Sequence, residues 1–296
     1  MIFATIDDLQ QALAANDYMA DRPLATAIFL ALKLQKPLLL EGEAGVGKTE
    51  VAKTLSRMLG CHLIRLQCYE GLDVNTTIYE WNYTRQMLQI RLLEAIGAAD
   101  SHATMKEIFG PEFLIKRPLL QAIEESWDQP PVLLIDEIDR ADEEFEAFLL
   151  ELLSEWQISI PEIGTIRAAQ PPVVIITSNR TREVHDALKR RCLFYWIDYP
   201  SLEKEQRIVA ARVPAASEKL SQQVVGFVQE LRRMDLYKLP GVAETLDWTT
   251  ALIALDAQAL TPGVVDDTLG AILKYQDDVG QVRGVGVKAL LEKIGA

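Results

Sequence analysis

An α/β fold with a parallel sheet, followed by a smaller helical domain, is what this 296-residue sequence predicts. Three observations carry it. Five short apolar runs, at residues 36–42, 62–67, 131–136, 172–179 and 193–198, alternate with helical patterns, as strands do with crossover helices. The first run, "KPLLLEG", leads straight into a glycine-rich turn and then a helical pattern. After Tyr199-Pro200 the apolar runs stop, and helical patterns are broken at Pro214, Pro240-Gly241 and Pro262-Gly263. The division predicted is a core at 1–199 and a helical domain at 200–296.

The elements follow in order. Residues 1–35 read as helices, with Pro23 near a helix start and apolar residues at helical spacing in "PLATAIFLALKLQ". The stretch "EEFEAFLLELLSEW" is amphipathic, with Phe145, Phe148, Leu149, Leu152 and Trp156 on one face. Bulk properties set the class. A chain 49% hydrophobic and 25% charged has the material for a real core. The N-terminus shows no basic, apolar leader, and no apolar run reaches the ~20 residues of a membrane helix. Three cysteines, Cys61, Cys68 and Cys192, fit reduced thiols, so a cytoplasmic protein is expected. The net charge of -13 is concentrated in residues 1–199, with 30 acidic against 19 basic residues, and argues against a nucleic-acid partner.

The turn after the first run is "GEAGVGKT", a complete G-x-x-x-x-G-K-T between a strand and a helix. Glycine permits the positive-φ backbone that turns successive N–H groups inward, where they and the helix N-terminus hold phosphate. Gly42, Glu43, Ala44, Gly45, Val46, Gly47, Lys48, Thr49 and Glu50 are the candidate nucleotide contacts. Lys48 would reach the terminal phosphates and the Thr49 hydroxyl would bind Mg2+.

A second motif narrows the chemistry. In "VLLIDEIDR" Asp136 stands at the carboxyl end of a buried strand, the side of such a sheet where ligands bind. Asp136 would hold Mg2+, and Glu137 would orient or deprotonate an attacking water. Asn179 ends the next such run and would position that water. A kinase would need a second substrate pocket that the sequence does not display, and a small GTPase would carry an N-K-x-D guanine reader, which is absent. Lys189, Arg190 and Arg191 precede the last apolar run. Lys189 suits a helix C-terminus. Arg191, or else Arg190, would suit an arginine finger that serves a neighbour's nucleotide, a device worth about 10³–10⁵ in rate.

With these residues in place the chain resembles AAA+ ATPases of the MoxR type: "GEAGVGKT" as Walker A, "LLIDEID" as Walker B, Asn179 as sensor 1, Arg191 as the finger. "LIRLQCYEGLD", "YEWNY" and "RRCLFYWIDYP" look most like the CoxD-like branch, which assists maturation of molybdenum-containing carbon monoxide dehydrogenase. The resemblance implies a sheet of order 5-1-4-3-2 with a helical lid, and ATP with Mg2+ at the interfaces of a homo-oligomeric ring, a hexamer. It also implies a partner carrying a von Willebrand factor A domain, and a molybdoenzyme client. Tyr18, Met19 and Ala20 match the segment that holds adenine. Hairpins map near Leu72–Gln89 and Ile158–Ala168. Tyr79, Trp81 and Tyr83 then read either as client contacts or as packed hairpin aromatics. One departure stands out: Thr250 aligns with the family's sensor-2 arginine. The function expected is an ATP-driven remodelling chaperone. Its rivals are a nucleic-acid motor or loader on the same fold and a non-catalytic nucleotide switch.

Overall fold

The computed structural model describes residues 3–95, 108–124, 127–283 and 285–295. All five apolar runs are strands of one sheet: β1 Leu38–Gly42, β2 Leu63–Gln67, β5 Val132–Asp136, β8 Val173–Ser178 and β9 Leu193–Ile197. The sheet order is β2-β5-β8-β1-β9. Counting these five strands alone, and reading from the other edge, this is the expected 5-1-4-3-2. β1 with β8, β8 with β5 and β5 with β2 pair in parallel. Every residue of β1 and β5 is buried, which is why both read as unbroken apolar runs.

Four shorter strands complete the set. β3 Tyr79–Trp81 pairs antiparallel with β4 Leu114–Lys116, and β6 Gln157–Ile160 with β7 Gly164–Arg167. The second pair is the hairpin placed near Ile158–Ala168. The first differs from the expectation. β3 finds its partner 35 residues on, and a helix, Tyr83–Ala95, follows it directly. No hairpin closes within Leu72–Gln89, because Tyr83–Ala95 takes up the segment that would have been the return strand. Trp81 stacks edge-on against Tyr79 at 5.9 Å and against Phe109 at 5.1 Å, so these rings are packed aromatics.

The chain divides into two compact units. The first comprises Met1–Ile6, Thr26–Glu41 and Ala52–Tyr195. Its core joins Leu133, Ile135, Val174 and Ile176 of the sheet to Leu119, Phe145, Leu149 and Leu152 of the helices Pro118–Ile123 and Glu143–Glu155. Asp142 caps the latter helix by accepting from the Phe145 N–H at 2.9 Å. The second unit comprises Asp7–Ala25, Gly42–Val51 and Trp196–Ala296. Its helices Glu218–Leu231, Val242–Ala254, Pro262–Ile272, Gln276–Val282 and Val285–Ile294 share one core around Phe227 and Trp248, whose rings lie 5.4 Å apart, and Leu202–Arg212 packs against Glu218–Leu231. The buried indole N–H of Trp248 donates to Thr268 Oγ1 at 2.8 Å, which satisfies its one polar atom. The phosphate-loop segment belongs to this second unit.

Candidate nucleotide site

The glycine turn after β1 is built as the motif requires. Gly42 has φ 152°, and a Cβ there would lie 2.3 Å from the Ile197 carbonyl oxygen, so no larger residue fits. Gly45 and Gly47 have φ 77° and 95° and bend the loop into the helix Lys48–Leu59. Lys48 is buried, and its Nζ donates to the carbonyls of Gly42 at 2.7 Å and Glu43 at 2.6 Å. Thr49 and Glu50 lie in the first turn of that helix, where backbone N–H groups favour an anion. A loop of this curvature, closed by a buried ammonium, fits a polyphosphate.

The same unit holds other expected residues, and one of them, Tyr18, reaches the loop. Tyr18 Oη reaches the Gly47 carbonyl at 3.5 Å. Met19 Sδ accepts from Arg207 at 3.7 Å, and Ala20 is held by its N–H on the Tyr18 carbonyl at 3.0 Å. From the helical side, the Ala243 N–H donates to the Gly45 carbonyl at 3.1 Å, and Arg212 pairs with Glu50 at 3.0 Å. A Cβ on Gly241 would sit 2.7 Å from the Ala44 carbonyl oxygen, so loop and helix start meet backbone to backbone. Thr250, aligned with sensor 2, is exposed and donates only to its own helix at Leu246 O, 2.9 Å.

In the first unit, the carboxyl ends of β5 and β8 gather a polar cluster. Thr177 Oγ1 donates to Asp136 Oδ1 at 2.6 Å and accepts from the Glu137 N–H at 2.9 Å. This one hydroxyl therefore fixes both acids. Glu137 sits at φ 57°, ψ 52°, a left-handed conformation uncommon for a residue with a side chain. Its carboxylate accepts from Asn179 Nδ2 at 3.4 Å, Gln67 Nε2 at 3.2 Å and Arg140 Nε at 3.0 Å. Asp139 accepts from the N–H groups of Asn179 (3.1 Å) and Thr181 (2.9 Å) and from Thr181 Oγ1 (2.7 Å). Burial works against its charge, but these hydrogen bonds prevail and hold the carboxyl below its ordinary value. Cys68 is pushed the other way, up to about 12, by burial and by Asp136, Asp139, Glu137 and Glu146. A cavity of about 570 Å3 opens beside the cluster, lined by Glu70, Asp139, Arg140, Asp142, Thr181 and Arg182 among others.

Arg190 and Arg191 close the short helix Asp186–Arg191, and both are exposed. Arg191 Nη1 donates to the Leu150 carbonyl at 2.7 Å. Arg65, Gln67, Thr177 and Asp139 were not singled out from the sequence. The one available signal was Arg65, a charge inside an apolar strand run. A buried carboxylate and a helix-start hydroxyl are hard oxygen donors, so Asp136 and Thr49 suit Mg2+ by chemistry. Among the described residues, no group of three or more His, Cys, Asp or Glu is arranged to hold a metal, and no helix is long and apolar enough to cross a membrane.

An uncharacterized protein of Staphylococcus epidermidis (strain ATCC 35984) is 26% identical over 216 residues, 71% of this chain and 72% of its own length. One of Staphylococcus aureus (strain USA300) is 25% identical over 207 residues, 68% of this chain and 70% of its own. Among solved structures, the RuvB Holliday junction branch migration motor of Thermotoga maritima aligns with a TM-score of 0.48 at 16% identity, over 93% of this chain and 80% of that one. The family model for the AAA domain (dynein-related subfamily) matches residues 37–192, more than half of the chain. The chain belongs to the dynein-related subfamily of AAA domains, and its fold is that of an AAA+ ATPase.

Proposed function

We propose that this protein hydrolyses ATP, and that it works as a ring-forming remodelling chaperone of the MoxR type. The observation that carries the hydrolytic part is the carboxylate of Glu137, held by Asn179 and Gln67 beside the buried Asp136. A pure nucleotide switch has no need of a base so placed. In this reading Lys48 and the loop N–H groups bind the phosphates, and Thr49 and Asp136 hold Mg2+. The metal supplies charge neutralisation on the phosphate oxygens. Glu137 takes the proton of the attacking water, and Asn179 positions that water. Tyr18, Met19 and Ala20 hold the base, and Arg191, with Arg190 as second choice, completes a neighbour's site in a hexamer. In this reading residues 1–199 serve as the core and 200–296 as the lid, with Asp7–Ala25 and the phosphate-loop segment Gly42–Val51 packed in the same compact unit as the lid helices.

The finer reading rests on the MoxR-like and CoxD-like stretches of the sequence: a von Willebrand A-domain partner, and maturation or metal-centre assembly of a molybdenum-containing dehydrogenase in the cytoplasm. It is tested by capturing the Glu137→Gln protein with ATP from its own cells at native level. A von Willebrand A-domain protein together with a molybdenum hydroxylase subunit supports it. Nucleic acid with replication or repair proteins overturns it in favour of a nucleic-acid motor.

A further inference from the structure

The carboxylate that ends β5 already has a cation. Asp136 is buried, with 4% of its side chain exposed, and Arg65 donates to its Oδ2 through Nε at 3.0 Å and Nη2 at 2.6 Å. Its other oxygen accepts from Thr177. Arg65 arrives from β2, the edge strand of the sheet, 71 residues earlier in the chain. Its side chain is half exposed, at 52%, so it can leave for solvent at little cost. Nη2 also donates to Gln67 Oε1, which sets the guanidinium plane against the carboxylate. A guanidinium donating twice to one carboxylate is among the stronger hydrogen-bonded pairs, and it cannot discharge by losing a proton. A hard cation that seeks Oδ2 meets that pair first.

We propose that Arg65 is a positioning residue that competes with Mg2+ for Asp136: it holds the carboxylate in place as an ion pair, and metal loading displaces it towards solvent. This rests on Asp136 being the metal carboxylate of the reading above. It follows that Arg65 raises the Mg2+ concentration the site requires and leaves metal-free nucleotide binding alone.

The test uses the full chain and a fluorescent ADP analogue, titrated with free Mg2+, for wild type, Arg65→Met and Arg65→Lys. In EDTA all three should bind the nucleotide equally. With metal, the Mg2+ midpoint should fall about tenfold in Arg65→Met, as expected for losing a hydrogen-bonded charge, with Arg65→Lys between. Mg2+ alone, without nucleotide, should raise the melting temperature of Arg65→Met more than that of wild type, because in the variant Mg2+ no longer has to displace a guanidinium from Asp136. Equal midpoints and equal Mg2+-induced shifts across the three would overturn the proposal. Should Arg65→Met fail to fold, Arg65→Lys with a wild-type midpoint does the same. A wild-type chain that binds no nucleotide at any Mg2+ concentration sinks the nucleotide reading, and the melting shifts still judge Arg65.

Discussion

Glu205→Ala should be among the most damaging single changes to the helical unit. Glu205 is completely buried and accepts four hydrogen bonds: from Arg232 Nη1 (2.6 Å) and Nη2 (2.7 Å), Gln229 Nε2 (2.7 Å) and Thr245 Oγ1 (2.8 Å). Arg232 is 6% exposed, donates through Nε to the Pro240 carbonyl at 2.8 Å and lies 4.8 Å from the centre of the Tyr199 ring. Truncating Glu205 leaves that guanidinium buried without its counter-charge. The cost is about 3–5 kcal/mol for breaking a buried pair. At about 3 °C per kcal/mol for a chain of this size, the melting temperature should fall by roughly 10–15 °C. Calorimetry of the single variants and of Glu205→Leu/Arg232→Met measures it. The double variant, with no charge left to strand, should recover most of the loss. A single-variant loss below about 1 kcal/mol, or a double variant no better than the single, would refute the reasoning. The pair has a functional side too. Pro240 precedes Gly241, which touches the phosphate loop at Ala44.

Other consequences can be checked alongside. Cys68 is buried and its thiol lies near 12, so native protein at pH 8 should resist alkylation there, with mass spectrometry showing modification only after denaturation. Asp139 lies below its ordinary value of 3.8 when folded, so it stabilises above that pH, and the contribution is lost as pH falls through the folded value. Urea midpoints below about pH 4 should therefore fall less steeply with acid in Asp139→Asn than in wild type. Arg191→Ala should bind nucleotide without cleaving it. Mixed with Lys48→Ala protein in confirmed joint rings it should regain part of the activity, and no regain would remove Arg191 as a finger in trans.

The parts of the site legible in the sequence are the contiguous ones. Gly42 to Thr49 announce themselves because one loop must supply every turn and donor itself. Asp136 and Glu137 do so because strand and acids adjoin. The central strands β1, β5 and β8 are legible because burial on both faces leaves an unbroken apolar run, whereas the edge strands β2 and β9 are partly exposed and are marked mainly by their short apolar runs between helical patterns. What holds the acids in place was not legible. Thr177 lies 41 residues from Asp136, Arg65 71 away, and Asp139 binds Asn179 and Thr181 from 40 and 42 away. Only the parallel register of β2, β5 and β8 brings these together, and no local spacing encodes it. The family resemblance implies a hairpin over Leu72–Gln89, but the partner of β3, Leu114–Lys116, lies 35 residues on, and no local spacing encodes that pairing.

The most direct test of the central claim is phosphate release from ATP by wild type and by Glu137→Gln, with nucleotide binding measured on the same samples. Wild type should turn over with Mg2+. Glu137→Gln should bind ATP as well and release phosphate about 10²–10⁴ times more slowly, the loss expected on removing a general base. Turnover by Glu137→Gln at the wild-type rate would contradict the role given to Glu137. A wild-type protein that binds ATP, assembles, and never releases phosphate would make it a switch.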